Sequence, residues 1–224
     1  MTRPCALITG CDTGLGREFA IQYAKAGYEV HATYRDPANR IDVAGLHHHP
    51  LDVTDFAQFD ALARTLAGAP IDVLVSNAGI GRELGRFGSI DFDEVRRILA
   101  TNTVGPLKLV ETLAHNVAAS RQRRIAIVSS RMGSIGSNLS GGHYGYRASK
   151  AGLNAIGRSL AIDLFARGIT VALLHPGWVA TAGGGPDAPI TAAESVAAMR
   201  GIVERLGNHE TGGFFTWSGQ PLPW

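Results

Sequence analysis

Cysteine and long apolar runs are both scarce in this chain of 224 residues. Two cysteines, Cys5 and Cys11, are too few for the disulfide framework of a small secreted domain. No apolar run reaches the roughly 20 residues that a membrane-spanning helix needs, and the first residues lack the apolar core of a signal peptide. The net charge of +2 gives no reason to expect a nucleic acid or an acidic membrane as a partner. We therefore expect a cytoplasmic protein that binds neither nucleic acid nor membrane.

Strand and helix patterns alternate along the chain, with no linker or internal repeat between them. Apolar runs predict strands at 6–8, 30–33, 73–75, 125–128, 169–174 and 213–217, and a further short strand that ends near residue 51. Helical spacing predicts helices at 56–66, 92–118, 146–166 and 191–206, the second of them bent around Pro106. This alternation is typical of an α/β fold with one doubly wound parallel sheet of about seven strands and helices on both faces. A hydrophobic content of 45% agrees with a single domain over residues 1–224.

A glycine-rich turn joins the first predicted strand to a helical pattern. Gly10, Gly14 and Gly16 lie in the sequence Thr-Gly-Cys-Asp-Thr-Gly-Leu-Gly, which begins at Thr9. In this context glycines let backbone N–H groups approach a pyrophosphate at the helix N-terminus, where the helix dipole favours an anion. The turn predicts a dinucleotide site; a plain tight turn is the alternative.

A tyrosine and a lysine four residues apart, Tyr146 and Lys150, are the most specific chemical signal. The chain has only three lysines and five tyrosines, so chance gives such a pair in about 0.07 of chains of this composition. In a helix both side chains lie on one face, with β-carbons about 5–6 Å apart. A free tyrosine ionises near pH 10, and a neighbouring cation favours the phenolate and lowers that pKa. The pair predicts an acid/base group; two residues of a surface helix are the alternative.

Polar residues stand where several predicted strands end. Thr9, Asn77, Ser130 and His175 each come at the end of an apolar run. Because ligands of doubly wound sheets bind beyond the carboxyl ends of the strands, we expect these residues to meet at one site.

Several motifs occur in a fixed order along the chain. They are Thr9-Gly10-x-x-x-Gly14-x-Gly16, Asn77-Ala78-Gly79, Asn102, Ser130 and Tyr146-x-x-x-Lys150, followed by Pro176-Gly177-x-x-x-Thr181. Together they resemble the short-chain dehydrogenase/reductase family, whose fold is a single Rossmann-type domain, over essentially the whole chain. The stretches 130–136 and 141–150 and the ending 213–224 resemble the branch of C-factor and sniffer-type carbonyl reductases.

The resemblance implies an oxidoreductase that acts on a small carbonyl or alcohol substrate. Tyr146 would exchange a proton with the substrate oxygen, and Lys150 would lower the pKa of that tyrosine and hydrogen-bond the nicotinamide ribose. Ser130 would hold the substrate oxygen, and Asn102 would support a water relay to Lys150. Two alternatives stay open. Asn102 could be an amide that ties strands together and has no role in a water relay. Separately, Ser129 could face the substrate in place of Ser130, because Ser130 lies 16 residues before Tyr146, more than is usual in the family.

The end of the second strand predicts which cofactor binds. An NAD-type site usually offers an acid there to bind the ribose hydroxyls, whereas an arginine accommodates a 2′-phosphate. Tyr34 stands where that acid would be and Arg35 follows it, so we expect NADP(H), with NAD(H) as the alternative. Asp52-Val53 resembles the adenine-binding pair of the family; a cap for the helix that begins near Asp55 is the other interpretation. The implied cofactor-binding residues are Gly10, Asp12, Thr13, Gly14, Leu15, Gly16, Tyr34, Arg35, Asp52, Val53, Asn77, Ala78, Gly79, Tyr146, Lys150, Pro176, Gly177, Val179 and Thr181.

Two histidine features carry no predicted chemistry. His47-His48-His49 resembles a metal-binding tract, but alternate residues of a strand face opposite sides of a sheet, so the three cannot converge and no metal is predicted. His175 precedes a proline at a strand end, which favours a core histidine over a base.

Two classes of function stay open. An active oxidoreductase is favoured because a pure binding module would not need Asn102, Ser130, Tyr146 and Lys150 together. The resemblance to C-factor also allows a nucleotide-binding signalling protein with little or no turnover. The predicted helices at 92–118 and 146–166 resemble those through which relatives pair, so a homo-oligomer is a further open expectation.

Overall fold

Seven parallel strands form one sheet in the part of the chain that the computed structural model describes, residues 3–81 and 87–224. The strands are β1 (Cys5–Ile8), β2 (Glu29–Tyr34), β3 (Leu46–Pro50), β4 (Val73–Ser76), β5 (Arg124–Val128), β6 (Thr170–His175) and β7 (Gly213–Thr216). Their order across the sheet is β3-β2-β1-β4-β5-β6-β7, and every neighbouring pair is parallel. The predicted doubly wound parallel sheet is confirmed.

Helices cover both faces of the sheet. In the described residues they are α1 (Gly14–Lys25), α2 (Phe56–Leu66), α3 (Phe92–Leu99), α4 (Gly105–Ala118), α5 (Tyr144–Asp163) and α6 (Ala192–Arg205). Helices α1 and α6 pack Phe19 and Met199 into one apolar cluster, and α2, α4 and α5 pack Phe59, Leu113 and Leu153 into the other. Because the central strands are covered on both faces, every residue of β1 and β4 is buried. This burial explains the continuous apolar runs in their sequences.

The strand order fixes where a ligand can bind. The chain runs outward from β1 to β3 and then returns to β4 on the other side of β1. A crevice forms at such a reversal, beyond the carboxyl ends of the strands. Thr9 follows β1, Asn77 follows β4 and Ser129-Ser130 follow β5, so the residues expected to meet do lie along one edge.

The helix predicted over 92–118 contains one π-helical turn, Ala100–Val104, between α3 and α4. Pro106 has no N–H to donate to the carbonyl oxygen of Asn102 four residues earlier, so the regular α-helical hydrogen bonds cannot continue here. Gly105 allows a close approach to the segment after β3, since a Cβ there would lie 2.8 Å from the carbonyl oxygen of Val53. The chain therefore leaves α-helical geometry before Pro106, and Asn102 in that turn is fully buried.

The helix that carries Tyr146 begins two residues earlier than predicted, at Tyr144. Gly141, Gly142 and His143 before it have φ angles of 63°, 63° and 51°, so three consecutive left-handed residues define the start of the helix. Within residues 3–81 and 87–224, no helix combines the length and the apolar character needed to cross a membrane.

Candidate active site

The turn between β1 and α1 requires glycine at its motif positions. Gly10 and Gly14 have φ angles of 73° and 56°, a region that favours glycine. A Cβ at Gly16 would overlap the carbonyl oxygen of Gly10. Thr13 precedes α1 without a side-chain hydrogen bond to it, and Leu15 packs against the core. The N-cap residue therefore leaves the first N–H groups of α1 uncapped, which makes this helix N-terminus suited to an anion.

Asn77 fastens this turn to the end of β4. Its Nδ2 donates to the carbonyl oxygens of Thr9 and Gly10 at 3.0 and 3.3 Å. The hydroxyl oxygen of Thr9 accepts from the backbone N–H groups of Asn77 and Ala78 at 3.0 and 3.1 Å. The two strand ends are thus joined by hydrogen bonds that hold the glycine turn in place.

Ser130 lies beside Tyr146, and Ser129 points elsewhere. Ser130 hydrogen-bonds the phenol of Tyr146, and its oxygen also accepts from the N–H of Met132 at 3.2 Å. The Ser129 hydroxyl instead donates to Oδ1 of Asn154 at 2.6 Å in the buried contact with α5. The difference follows from the extended backbone, in which successive side chains point in opposite directions.

Lys150 is buried close to the ring of Tyr146, but its ammonium group is directed to the main chain. Its Nζ lies 6.0 Å from the centroid of the Tyr146 ring and donates to the carbonyl oxygen of Val128 at 2.9 Å. Burial lowers the pKa of Lys150 to about 8. Burial also raises the pKa of Tyr146, and the hydrogen bond from Ser130 acts against that rise. The net shift of the Tyr146 pKa is therefore upward, because desolvation of the phenol is the largest cause, and the predicted lowering by Lys150 stays a prediction.

Asn102 lies between the segment after β4 and helix α5. Its Oδ1 accepts from the N–H of Ile80 at 2.8 Å, and its Nδ2 donates to the carbonyl oxygen of Ile80 at 2.7 Å and to the Ser149 hydroxyl at 3.1 Å. The side-chain amide therefore ties elements together, as one of the two interpretations expects. A Cβ at Gly79 would lie 3.2 Å from Oδ1 of Asn102 and 3.8 Å from Nζ of Lys150, so these groups share one small space.

Gly81 belongs to the site, although it is not part of any of the sequence motifs. A Cβ at this residue would lie 3.4 Å from Cε2 of Tyr146, so the backbone of Gly81 runs along the tyrosine ring. Its position two residues after Gly79, in the segment that leaves the strand end, is the signal that would have indicated it.

The end of β2 differs from the sequence-based expectation. The side chain of Tyr34 is 1% exposed and packs in the apolar cluster with α1, so only its backbone can reach a cofactor. Arg35 is exposed. Asp36 caps a short 3-10 turn, where its Oδ1 accepts from the N–H of Ala38 at 2.9 Å. Asp12 reaches this strand end from the glycine turn, and its Oδ2 and Oδ1 accept from the N–H groups of Arg35 and Asp36 at 3.2 and 2.9 Å.

Asp52 forms a turn and leaves the capping of α2 to another residue. Its Oδ1 accepts from the N–H and the hydroxyl of Thr54 at 2.9 and 2.7 Å, and these hydrogen bonds lower the pKa of Asp52. Asp55 caps α2 by accepting from the N–H of Ala57 at 3.1 Å. Val53 is buried beside Gly105, so the pair Asp52-Val53 has one polar and one apolar side chain at the carboxyl end of β3.

The segment after β6 folds back over the glycine turn. A Cβ at Gly14 would lie 3.4 Å from the methyl group of Thr181, so this threonine touches the start of α1. Gly177 has a φ of 87° and a Cβ there would lie 2.5 Å from Ile190, so the bend requires glycine. Val179 is buried and pairs with Ile190 in an isolated bridge.

The residues before that bend contact other parts of the fold. Burial lowers the pKa of His175 to about 4, with a smaller contribution from Arg131, so this histidine is neutral near pH 7. The carbonyl oxygen of Pro176 accepts from the hydroxyl of Ser195 on α6 at 2.7 Å.

These groups together suit a nicotinamide dinucleotide and a substrate oxygen. The glycine turn leaves no room for side chains where a pyrophosphate would approach the start of α1. A phenol hydrogen-bonded to a serine hydroxyl, with a buried ammonium group close by, can bind a carbonyl or alcohol oxygen and exchange a proton with it. In the described parts of the chain, no three His, Cys, Asp or Glu side chains are arranged to share a metal ion.

Known proteins share this sequence pattern. A family model described as short chain dehydrogenase matches residues 4–188. The C-signal protein of Myxococcus xanthus is 40% identical over 164 residues, which cover 73% of this chain and 99% of that protein. The 1-hydroxy-2-glutathionyl-2-methyl-3-butene dehydrogenase of Rhodococcus sp. (strain AD45) is 34% identical over 225 aligned residues, which cover 97% of this chain and 98% of that protein.

Solved structures share the fold over the full length. The carbonyl reductase Sniffer of D. melanogaster superposes with a TM-score of 0.91 at 31% identity and covers 100% of both chains. The NADPH-bound carbonyl reductase from chicken fatty liver superposes with a TM-score of 0.89 at 30% identity and also covers 100% of both chains. The chain therefore belongs to the short-chain dehydrogenase/reductase family, in its branch of C-factor and sniffer-type carbonyl reductases, and is an NAD(P)-dependent oxidoreductase.

Proposed function

We propose that this chain transfers hydride between NADP(H) and a small carbonyl or alcohol substrate, with Tyr146 as the acid/base. The observation that carries the proposal is the placement of Tyr146 at the sheet edge where the glycine turn also lies, with Nζ of Lys150 6.0 Å from its ring and Ser130 as the hydrogen-bonding group that opposes the rise of its pKa caused by burial. Two hydroxyl groups joined in this way can hold one substrate oxygen from two sides and pass a proton to it. The raised pKa of Tyr146 keeps the phenol protonated near pH 7, which is the form that donates a proton during carbonyl reduction.

Lys150 and Asn102 support this proton transfer. A pKa of about 8 keeps most of Lys150 protonated at neutral pH, so its ammonium group can hydrogen-bond the nicotinamide ribose. Asn102 holds the segment at Ile80 beside the site through its amide, and its main-chain carbonyl, which cannot accept from Pro106, is proposed as part of a water relay toward Lys150. When bound, the nicotinamide supplies or accepts the hydride.

NADP(H) is proposed as the preferred cofactor because Arg35 is exposed at the end of β2. An arginine at this place can pair with a 2′-phosphate. The similarity to the NADPH-bound carbonyl reductase of chicken supports this choice. The name of the Rhodococcus relative, a dehydrogenase of a 1-hydroxy compound, supports a hydroxyl or carbonyl group as the reacting group of the substrate.

A signalling protein with little turnover is the second candidate, and the similarity to the C-signal of Myxococcus xanthus favours it. A protein with only that role would not need Ser130 hydrogen-bonded to Tyr146 or an ammonium group buried beside it. We therefore expect catalysis, and a screen of NADPH oxidation against aldehydes, ketones and quinones separates the two candidates. Tight NADPH binding without turnover of any of these compounds would support the second candidate.

The matched variants Tyr146→Phe and Tyr144→Phe test the role of the phenol. We expect Tyr146→Phe to lower kcat/KM by about 10²–10⁴-fold, since it removes a general acid, and to leave the Kd for NADPH within a few fold. Tyr144 lies on the same helix, is 42% exposed and has no assigned role, so Tyr144→Phe is expected to retain activity. Full activity in Tyr146→Phe would refute the proposed acid/base.

A further inference from the structure

The carboxylate of Asp12 occupies the place that governs cofactor choice. It belongs to the glycine turn, yet its two oxygens accept from the backbone N–H groups of Arg35 and Asp36 at 3.2 and 2.9 Å. In dinucleotide-binding folds, the end of the second strand faces the 2′ position of the adenosine ribose, where an acid binds the hydroxyl of NAD and an arginine accommodates the phosphate of NADP. The carboxylate of an NAD-type site is therefore present here, but it comes from a different segment.

The residues of β2 cannot supply that carboxylate themselves. Tyr34, at the expected position, has its side chain in the core. Asp36 follows the strand, is exposed and accepts from the N–H of Ala38 in the 3-10 turn, whereas both oxygens of Asp12 accept from the N–H groups at the strand end. Asp12 is thus the acid that reaches across to the strand end.

The charges around Arg35 oppose one another. Three carboxylates lie near Arg35. Asp12 accepts a hydrogen bond from the backbone N–H of Arg35, and Asp36 is the next residue in the sequence. Hydrogen bonds from Thr54 and, more weakly, the positive charge of Arg35 lower the pKa of Asp52. Arg17 and Arg40 are exposed cations of the same region, and the charge of Arg17 acts on Tyr34. A 2′-phosphate carries a charge of about −1.5 to −2 near pH 7 and meets Asp12 as well as Arg35, whereas a ribose hydroxyl can donate to that carboxylate.

We propose that Asp12 determines cofactor specificity by limiting the preference for NADP(H) and by accepting a hydrogen bond from the 2′-hydroxyl of NAD(H). This inference rests on the proposed binding of a nicotinamide dinucleotide. The protein then uses both cofactors, with a preference for NADPH of less than about tenfold, because one carboxylate offsets most of what one arginine contributes.

Binding measurements with adenosine fragments test this role without turnover. The probes are AMP and adenosine 2′,5′-bisphosphate by calorimetry, and NADH and NADPH by fluorescence. Asp12→Asn removes the charge and nearly preserves the shape, so we expect the ratio of NADPH affinity to NADH affinity to rise about tenfold, and the ratio for the two fragments to rise with it. Asp12→Ser, which keeps one hydrogen-bond acceptor, is expected to shift the ratio in the same direction.

Asp36→Asn is the matched control, because it removes an equal charge one residue from Arg35. We expect its ratio to change less than that of Asp12→Asn, since the Asp36 side chain accepts from Ala38 in the 3-10 turn and Asp12 accepts from the N–H groups at the end of β2. An unchanged ratio in both Asp12 variants, or an equal rise in Asp36→Asn, would overturn the assignment to Asp12 and leave the proposed function intact. If the unaltered protein bound neither dinucleotide, the proposed function would fail and this inference with it.

Discussion

At the residue scale, two adjacent serines, Ser129 and Ser130, form different contacts. The Ser129 hydroxyl is buried and donates to Oδ1 of Asn154, whereas Ser130 faces the phenol of Tyr146. Their spacing from Tyr146 differs by one residue, so spacing alone does not decide which of them faces the phenol. The direction of each side chain does.

The two alanine variants of this pair should therefore fail in different ways. Ser130→Ala removes a contact to the substrate oxygen, so we expect kcat/KM to fall by about tenfold or more while the Tm stays within a few degrees. Ser129→Ala leaves the Asn154 amide without its partner, so we expect the free energy of unfolding to fall by about 1–3 kcal/mol. Steady-state kinetics and thermal unfolding of both proteins check this. Loss of activity in Ser129→Ala together with full activity in Ser130→Ala would reverse the assignment.

The sequence predicts contacts within one helix better than contacts between segments. The spacing of Tyr146 and Lys150 is local, so their common helix face follows from the sequence alone. The acceptor of Lys150 is the carbonyl oxygen of Val128, 22 residues away, and its position depends on how β5 meets α5. The depth of burial that raises the pKa of Tyr146 has the same long-range origin, so the sequence alone does not reveal the net direction of the shift.

At the scale of elements, β2 and β3 form a histidine ladder of His31, His47 and His49. The parallel register pairs His31 with His47, and the rings of His47 and His49 both stack on that of His31 with centroids 5.0 and 5.1 Å apart. Nδ1 of His31 and Nε2 of His49 lie 2.8 Å apart, and Nε2 of His47 lies 3.0 Å from a carboxylate oxygen of Glu29. One nitrogen of the close pair must be unprotonated for that hydrogen bond to form.

The alternation of side chains along a strand predicts only part of this arrangement. It predicts that the three consecutive histidines cannot converge, and His48 does face the other side, where its ring lies 5.4 Å from that of Tyr34. It does not reveal that His31 completes a cluster with the other two. The register between β2 and β3 depends on the geometry of the connecting segment 35–45, so it does not follow from the sequence of β3 alone.

Protonation of the ladder should destabilise this edge of the sheet. Burial first, and then the charges of His49 and His47, lower the pKa of His31 to about 4, while Glu29 raises it weakly. Burial and its histidine neighbours also lower the pKa of His49. Helix α2 lies on the same side of the sheet, because its apolar residues pack in the cluster that contains Leu7, and Leu7 is the neighbour of His31 on β1. The charged residues of α2, Asp60 and Arg64, are exposed. Glu29 is thus the nearby charge that opposes the shift.

The unfolded chain then binds more protons than the folded chain between about pH 4 and pH 6.5. The free energy of unfolding is therefore highest above this pH range and decreases as the pH falls through it. Because the ladder is partly exposed, we expect a loss on the order of 1 kcal/mol, or about 2–4 °C in Tm, between pH 7 and pH 5. His31→Asn should flatten this part of the profile. His115→Asn, at an exposed site on α4, should not. Parallel profiles for the unaltered protein and His31→Asn would show that the ladder does not titrate.

At the scale of the whole molecule, the single sheet links the two halves of the chain. The glycine turn, Asn77 and the end of β2 belong to the first half, whereas the three tryptophans, Trp178, Trp217 and Trp224, belong to the last quarter. Each apolar cluster contains residues from β1 and from β6, so neither half has a core of its own. This continuity is the physical basis for the prediction of one domain over residues 1–224.

The chain should therefore unfold in one cooperative transition that a nucleotide shifts as a whole. We expect urea unfolding followed by tryptophan fluorescence and by far-ultraviolet circular dichroism to give the same midpoint. NADPH at about 100 times its Kd should add about 2.7 kcal/mol to the free energy of unfolding, because it binds only the folded protein. Most of the proposed nucleotide contacts lie far in sequence from the tryptophans, so an equal shift of both midpoints requires that the two halves unfold together. A fluorescence midpoint that NADPH leaves unchanged, while the dichroism midpoint rises, would mean that the last quarter of the chain unfolds independently.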